Sequence, residues 1–243
     1  VSLEEALALF EPEGLPRSDA GLQERRSAET RVAILEAAIT CLAEHGYAKT
    51  TTLLVASMAR ASRGAMLHHY PTRRALIEST IEYAFYRRMM NFTRSVAALT
   101  EEERVSQNRG LYMELSNFQT PEYKAYLELH VASRTDQELR DIFLPRARKY
   151  DQIWRAEVGR VFPEWQDKGE VFNRACELTR SLIEGLLLNR DIWNDPKAEE
   201  SVLTILNMTL QMLRKGEITI PTQDKPKRAP AKRAPQPKSK KAA

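Results

Sequence analysis

The chain has 243 residues, enough for a substantial core and for more than one domain. Hydrophobic content of 42% and charged content of 29% are ordinary for a globular protein, and no run of 18 apolar residues is present to span a membrane. The formal charge of +4 conceals an asymmetry: the last 23 residues carry a net +7, which leaves −3 on the preceding 220, so the basic balance cannot serve as evidence that the folded body binds nucleic acid.

In chain order, Ser2 and Glu5 have capping-box spacing while Leu3, Leu7 and Phe10 recur on one face. This predicts a short helix ended by Pro12, Gly14 and Pro16. Arg17, Arg25, Arg26 and Arg31 follow within reach of a phosphate. The acidic residues of the segment argue for a docked or solvated piece rather than a DNA-binding arm. The opening VSLEEALALF lacks the basic region of a secretory signal, and Cys41 and Cys176 read as buried small apolar residues, which together predict a cytoplasmic protein.

Residues 28–45 predict a helix with Ile34, Leu35, Ala38 and Leu42 as its core stripe and Gly46 as its C-cap. Thr50 or Thr51 caps a second helix that buries Leu54, Val55, Met58 and Ala59. Ser62 caps a third, which Pro71 ends near Tyr70. Thr72 opens a long helix to about residue 96, with Leu76, Ile77, Ile81, Ala84 and Phe85 on its apolar side. The short helices on either side of a tight turn, the latter carrying Arg63 in its first turn and His68 and His69 near its end, fit a helix-turn-helix. Its second helix would enter the major groove.

Beyond it, Thr100 and Glu103 form a capping box for a helix reaching Phe118, and Thr120–Pro121 starts another over residues 122–133. Thr135 and Glu138 suggest a further capping box, and Pro145 should kink or split the helix they open near residues 141–144. The run resumes through Tyr150, Ile153, Trp154 and Val158. Asp167 and Glu170 are expected to cap a helix over residues 168–190, and Asp195–Pro196 to open the last, which Gly216 ends. No strand alternation and no repeat is visible, so the fold class is all-α, with about nine helices after the arm. The last 23 residues, with five Pro and no aromatic, predict a disordered cationic tail that adds salt-sensitive DNA affinity, in preference to a merely solubilising one.

Enzymatic chemistry finds no support. There is no glycine-rich phosphate loop, no Cys or His cluster with zinc spacing and no nucleophile motif of the G-x-S-x-G type. His68 and His69 are adjacent and point about 100° apart on a helix, which suits DNA contacts better than a metal. No catalytic residue, metal or cofactor is expected.

The stretch from Glu29 to Leu76 resembles the DNA-binding domain of the tetracycline-repressor (TetR) family. The resemblance rests on Ile34-Leu35-Glu36-Ala37-Ala38, Gly46-Tyr47, Thr50-Thr51, Ser62-Arg63-Gly64 and His68-His69-Tyr70-Pro71-Thr72-Arg73. It implies that Thr51, His69 and Arg73 hold phosphate, that Ser62 and Gly64 belong to the same DNA-facing helix start, and that Arg63, Ala65 and His68 read bases. Two positions depart from the family pattern. Arg60 stands at the usual turn glycine, where a left-handed non-Gly residue costs roughly 1–2 kcal/mol, and Leu67 replaces a phosphate-touching Tyr.

The resemblance further implies a homodimeric, ligand-responsive repressor on a double-stranded palindromic operator, with an unidentified small-molecule effector and no membrane partner. Its divisions would be an N-terminal arm (1–27), the helix-turn-helix (28–73), a ligand-binding and dimerisation domain (74–218) and the tail (219–243). Met113, Asn117, Phe118, Tyr123, Tyr126, Leu127, His130, Phe143 and Trp154 are the candidate ligand residues. They form a mostly apolar, aromatic set that no cation clearly commands. Leu178, Leu182, Leu186, Val202, Leu206 and Leu210 are the candidate dimer residues. Two other readings stay open: a constitutive architectural DNA binder that uses the basic tail, and a helical protein-interaction module without DNA readout.

Overall fold

The computed structural model describes residues 3–105 and 109–220; the cationic tail lies outside the described residues. The fold is all-α. A short α1 (Leu3–Ala8) precedes the head, which consists of α2 (Leu22–His45), α3 (Thr52–Met58) and α4 (Arg63–His69). Helix α5 (Arg73–Ala97) leads into the larger helical part: α6 (Glu101–Val105), α7 (Arg109–Phe118), α8 (Pro121–Ala132), α9 (Gln137–Val161), a 3-10 turn at Pro163–Trp165, α10 (Gly169–Trp193) and α11 (Pro196–Lys215).

Short polar side chains define where the head's helices begin. The hydroxyls of Thr51, Ser62 and Thr72 accept from the backbone N–H of Leu54, Ala65 and Ala75 at 3.2, 3.1 and 3.1 Å, so α3, α4 and α5 each have one of their orphan donors satisfied. Thr100 and Glu103 form the reciprocal capping box, and Asp195 accepts from the N–H groups of Lys197 and Ala198 beside Pro196.

Four local expectations are corrected. Helix α2 begins at Leu22, six residues before 28, because Leu22–Ser27 contains no helix breaker. Asp136, not Thr135, caps α9, its carboxylate accepting from Leu139 N at 2.8 Å. Asp167 adopts a left-handed φ of 62° in the preceding turn and caps nothing, so α10 starts without a side-chain cap. Pro145 does not split its helix, since α9 runs through it unbroken. Arg146 Nη1 donates to the Ile142 carbonyl at 2.9 Å, in the turn that the missing proline N–H weakens.

One continuous apolar core joins head and body. Ile34, Leu35, Ala38 and Leu42 of α2 pack with Val55 and Met66 of the head, Leu76, Ile81 and Phe85 of α5, and Ala125 and Leu129 of α8. Helix α8 lies along α2, so the head rests on the body. Polar ties reinforce the seat. Arg87 reaches Glu36 at 2.6 Å and the buried Glu122 at 3.2 Å, and Tyr47 N–H donates to Glu128 Oε1 at 2.7 Å. A smaller core of Leu111, Phe118, Tyr123, Ile183 and Leu206 closes α7 and α8 against α10 and α11.

Candidate nucleic-acid interface and inner cleft

The helix-turn-helix presents Arg63, Gly64 and His68 to solvent, with Ala65 and His69 half-buried beside them. Met66 is 2% exposed and anchors α4 from below. Thr51 and Ser62 are exposed, and their hydroxyl oxygens are used as cap acceptors. Each hydroxyl still has a proton to donate to a phosphate. Leu67, 46% exposed on the same helix, has no polar atom with which to do so.

The turn between α3 and α4 keeps a left-handed residue at position 60, φ 53°, although that residue is Arg. Arg60 N–H donates to the Ser57 carbonyl at 3.2 Å and Ala61 N–H to the Ala56 carbonyl at 2.9 Å, the paired bonds of a Schellman ending. The strain is borne because these bonds satisfy the last carbonyls of α3.

Arg73, expected to hold phosphate, also has partners within the chain. Nε donates to the Thr50 carbonyl at 2.8 Å and Nη2 to the Tyr47 carbonyl at 2.5 Å, and the guanidinium lies 4.1 Å from the centroid of the Tyr47 ring. These bonds tie Nε and Nη2 to the loop before α3, so Arg73 holds the backbone that leads into Thr51. Burial, then the charges of Arg31 and His68, lower the pKa of His69 below the ordinary imidazole value.

Inside the body, α5, α7, α8, α9 and α10, with the 3-10 turn and α11, line a cleft of two adjoining chambers. The outer one is walled by Phe92, Trp154, Phe162, Trp165 and Phe172. The inner one shares Phe92, Glu114, Trp154, Cys176 and Thr179 with it and adds Arg88, Tyr150 and Arg180. Of the residues predicted for a ligand, Met113 and Trp154 line the outer chamber and Asn117, Phe118, Tyr123 and Trp154 the inner. Tyr126, Leu127, His130 and Phe143 do not line it. The rings of Tyr126 and His130 pack against Phe143 at 5.6 and 5.9 Å and fill that space themselves, and His130 is exposed.

The cleft is more charged than its aromatic residues alone foretold. The Arg88 guanidinium sits 4.6, 4.4 and 4.5 Å from the ring centroids of Tyr123, Tyr126 and Tyr150, and its buried Nη1 has no hydrogen-bond partner among the described residues. Arg180 pairs with Asp151 at 2.6 Å. Burial raises the pKa of Glu114 and pushes the Tyr150 hydroxyl and the Cys176 thiol each up to about 12, so the thiol is held protonated and unreactive. Nothing in the sequence marks Arg88, Glu114 and Arg180, because each lies in an amphipathic helix, Arg88 next to Arg87, where a charge reads as part of the solvated face.

The predicted dimer residues divide. Leu186 and Leu206 are 4% and 1% exposed within this chain, Leu182, Val202 and Leu210 are half-buried, and Leu178 is exposed. The open apolar face of these two helices keeps Leu178 and adds Leu188 and Ile192 on α10, and Ile205, Met208 and Met212 on α11.

The family profile described as "Bacterial regulatory proteins, tetR family" matches residues 34–80, which cover α3, α4, the second half of α2 and the start of α5. Residues 34–80 carry the TetR-family DNA-binding domain. The chain is 27% identical over 194 residues to the uncharacterized HTH-type transcriptional regulator Rv2912c of Mycobacterium tuberculosis, covering 77% of this chain and 96% of that one. With the HTH-type transcriptional regulator CymR of Pseudomonas putida it shares 32% identity over 119 residues, 49% of this chain and 58% of CymR. The fold is shared with Salmonella enterica GusR (TM-score 0.55, 22% identity, 77% of this chain and 96% of GusR). It is also shared with the multidrug binding protein EbrR complexed with imidazole (TM-score 0.52, 21% identity, 86% and 100%). Transcription regulation through a DNA-binding helix-turn-helix is what these likenesses support. Among its described residues no helix is long and apolar enough to cross a membrane.

Proposed function

We propose that this regulator is a homodimeric repressor of a roughly palindromic operator, released by a small and largely apolar effector. The observation that carries the reading is the exposure of Arg63 and His68 on a capped α4 whose other face is pinned by Met66. First-turn side chains on such a helix reach base edges in the major groove, and two copies related by a two-fold axis would enter successive grooves about 34 Å apart.

Two further features support it. The cleft offers an aromatic wall for the body of a ligand and, at Arg88, an unpartnered donor for a polar acceptor group on it. The apolar face of α10 and α11 suits a second copy packed as a four-helix bundle. At its centre Gly185 has, its own helix apart, no described residue within 4 Å of where a Cβ would stand. A mid-helix glycine costs about 1 kcal/mol relative to alanine, a cost that close approach of a partner helix offsets. On this reading residues 28–73 form the operator-binding unit and 74–218 the effector and dimer unit, with the tail at 219–243 adding sequence-independent affinity.

Selection of bound duplexes from random DNA at about 150 mM salt tests the reading, since loose phosphate attraction is screened there. An inverted repeat is the expected product. Recovery of no motif, with binding lost on removal of the tail, would replace this reading with that of an architectural DNA binder.

A further inference from the structure

Residues 3–21 lie outside the stretch that matches the family profile, yet they are fastened at both ends to parts of the molecule that have opposite tasks. At the body end, α1 packs on α5 and α9, with Ala6 completely buried. Phe10 sits 5.5 Å from the ring of Tyr150, and Lys149 donates to the Leu9 carbonyl at 3.4 Å. Tyr150 is a wall of the inner chamber, where its ring stacks on Phe85 at 4.9 Å and faces the Arg88 guanidinium.

At the head end, Arg31 Nη1 donates to the Glu13 carbonyl at 3.1 Å. Gly14 turns with φ +76° so close to the guanidinium that a Cβ there would lie 3.2 Å from it. The same guanidinium reaches over the ring of Tyr70, 5.8 Å from its centroid. Tyr70 is the C-cap residue of α4, 2% exposed, and its N–H bonds to the Met66 carbonyl at 2.7 Å. A groove bounded by arm residues, by Arg31 and by His68 and His69 completes the junction.

Only Glu11 and Pro12 separate Phe10 from Glu13. Two anchors three residues apart span at most about 10 Å of chain, and Pro12 stiffens the link further. The link between the Phe10–Tyr150 contact and the Glu13–Arg31 contact is therefore short.

We propose that the N-terminal arm is a second mechanical link between the effector cleft and the recognition helix, additional to α5, and that Arg31 is the residue through which it positions the end of α4. The proposal rests on the reading above of the cleft as effector site and α4 as operator reader. Its energetic content is a docked arm that favours one placement of Tyr150 and one placement of Tyr70 together, so that a state which shifts the first weakens the second.

The test uses the full chain without any effector. Amide hydrogen exchange is followed over residues 62–70 and, separately, over α1, together with affinity for a selected operator duplex. The variants are Phe10→Ala at the body anchor, Ala6→Asp, which expels α1 without touching Tyr150, Arg31→Ala at the head anchor, and the Phe10→Ala/Arg31→Ala pair. Release of the arm is expected to speed exchange at residues 66–70 about tenfold and to weaken operator binding severalfold. The double variant should be no worse than Arg31→Ala, as required of two sites in series. Fast exchange in α1 with residues 66–70 unchanged in both Phe10→Ala and Ala6→Asp would overturn the link and leave the arm a docked ornament. Additive effects in the double variant would overturn it as well. If no operator is recovered, the exchange data still decide the link, so its failure and that of the DNA-reading proposal are distinguishable.

Discussion

The guanidinium of Arg73 stacks 4.1 Å from the centroid of the Tyr47 ring and donates to the carbonyl of the same residue, which makes Arg73 the staple of the α2–α3 corner. Charge-assisted bonds to two backbone carbonyls and a cation–π contact at a half-buried site are together worth about 2 kcal/mol. Arg73→Ala should lower the free energy of unfolding by that amount in urea titrations. Arg73→Lys should recover little, since a point ammonium cannot serve both carbonyls and the ring at once. Unchanged stability in both variants, with operator binding lost, would return Arg73 to a direct phosphate role.

Arg60 is held at φ 53° where glycine would be unstrained. Arg60→Gly should therefore raise stability by up to about 1 kcal/mol, the relief being partly offset by the greater freedom of glycine in the unfolded chain. Arg60→Ala retains the strain and should not stabilise. A pair of thermal melts distinguishes the two outcomes.

Arg63 heads the exposed face of α4. Replacing it with Ala should cut discrimination at one operator base pair by about 1–3 kcal/mol while leaving the fold intact. Competition binding with single-base operator variants reads this out. Discrimination that survives at every position would show that Arg63 clamps phosphate only.

His69 has its pKa lowered by burial first, and then by Arg31 and His68. Because folding favours the neutral ring, this group does not weaken the protein above the unfolded imidazole value near 6.5. Its contribution turns destabilising as pH falls below that value toward the lower folded one. A phosphate beside His69 favours the protonated ring, so operator binding should take up a proton. Affinity should rise as pH is lowered from 8 to 6 at constant salt, and His69→Gln should flatten that slope.

The open face of α10 and α11 gives a test of assembly. Ile205 and Met208 are 61% and 57% exposed, so charging both should leave the helical content unchanged and produce a monomer in sedimentation. Leu206, the next residue along, is 1% exposed within the chain, and Leu206→Glu should unfold it instead. A dimer that persists in the Ile205→Glu/Met208→Glu variant would rule this face out.

The sequence by itself determined what depends on near neighbours along the chain. Thr51, Ser62, Thr72 and Asp195 cap their helices through bonds to N–H groups two or three residues ahead, and the apolar stripes of α2 and α5 repeat with the helical period, so the all-α class and the helix-turn-helix were legible without coordinates. Tertiary structure decided what depends on residues far apart. The partners of Arg73 lie 23 and 26 positions away and the Glu128 that holds Tyr47 lies 81 away, so no local pattern marks them. The same holds for Arg88, which reads as a solvated charge until three tyrosines from α8 and α9 close around it. Helices α10 and α11 carry apolar residues on more than one side. Burial against α7 and α8 takes Ile183 and Leu206, which leaves Ile205 and Met208 for solvent, and periodicity alone cannot make that choice because it fixes the angles between side chains but not where the rest of the chain packs.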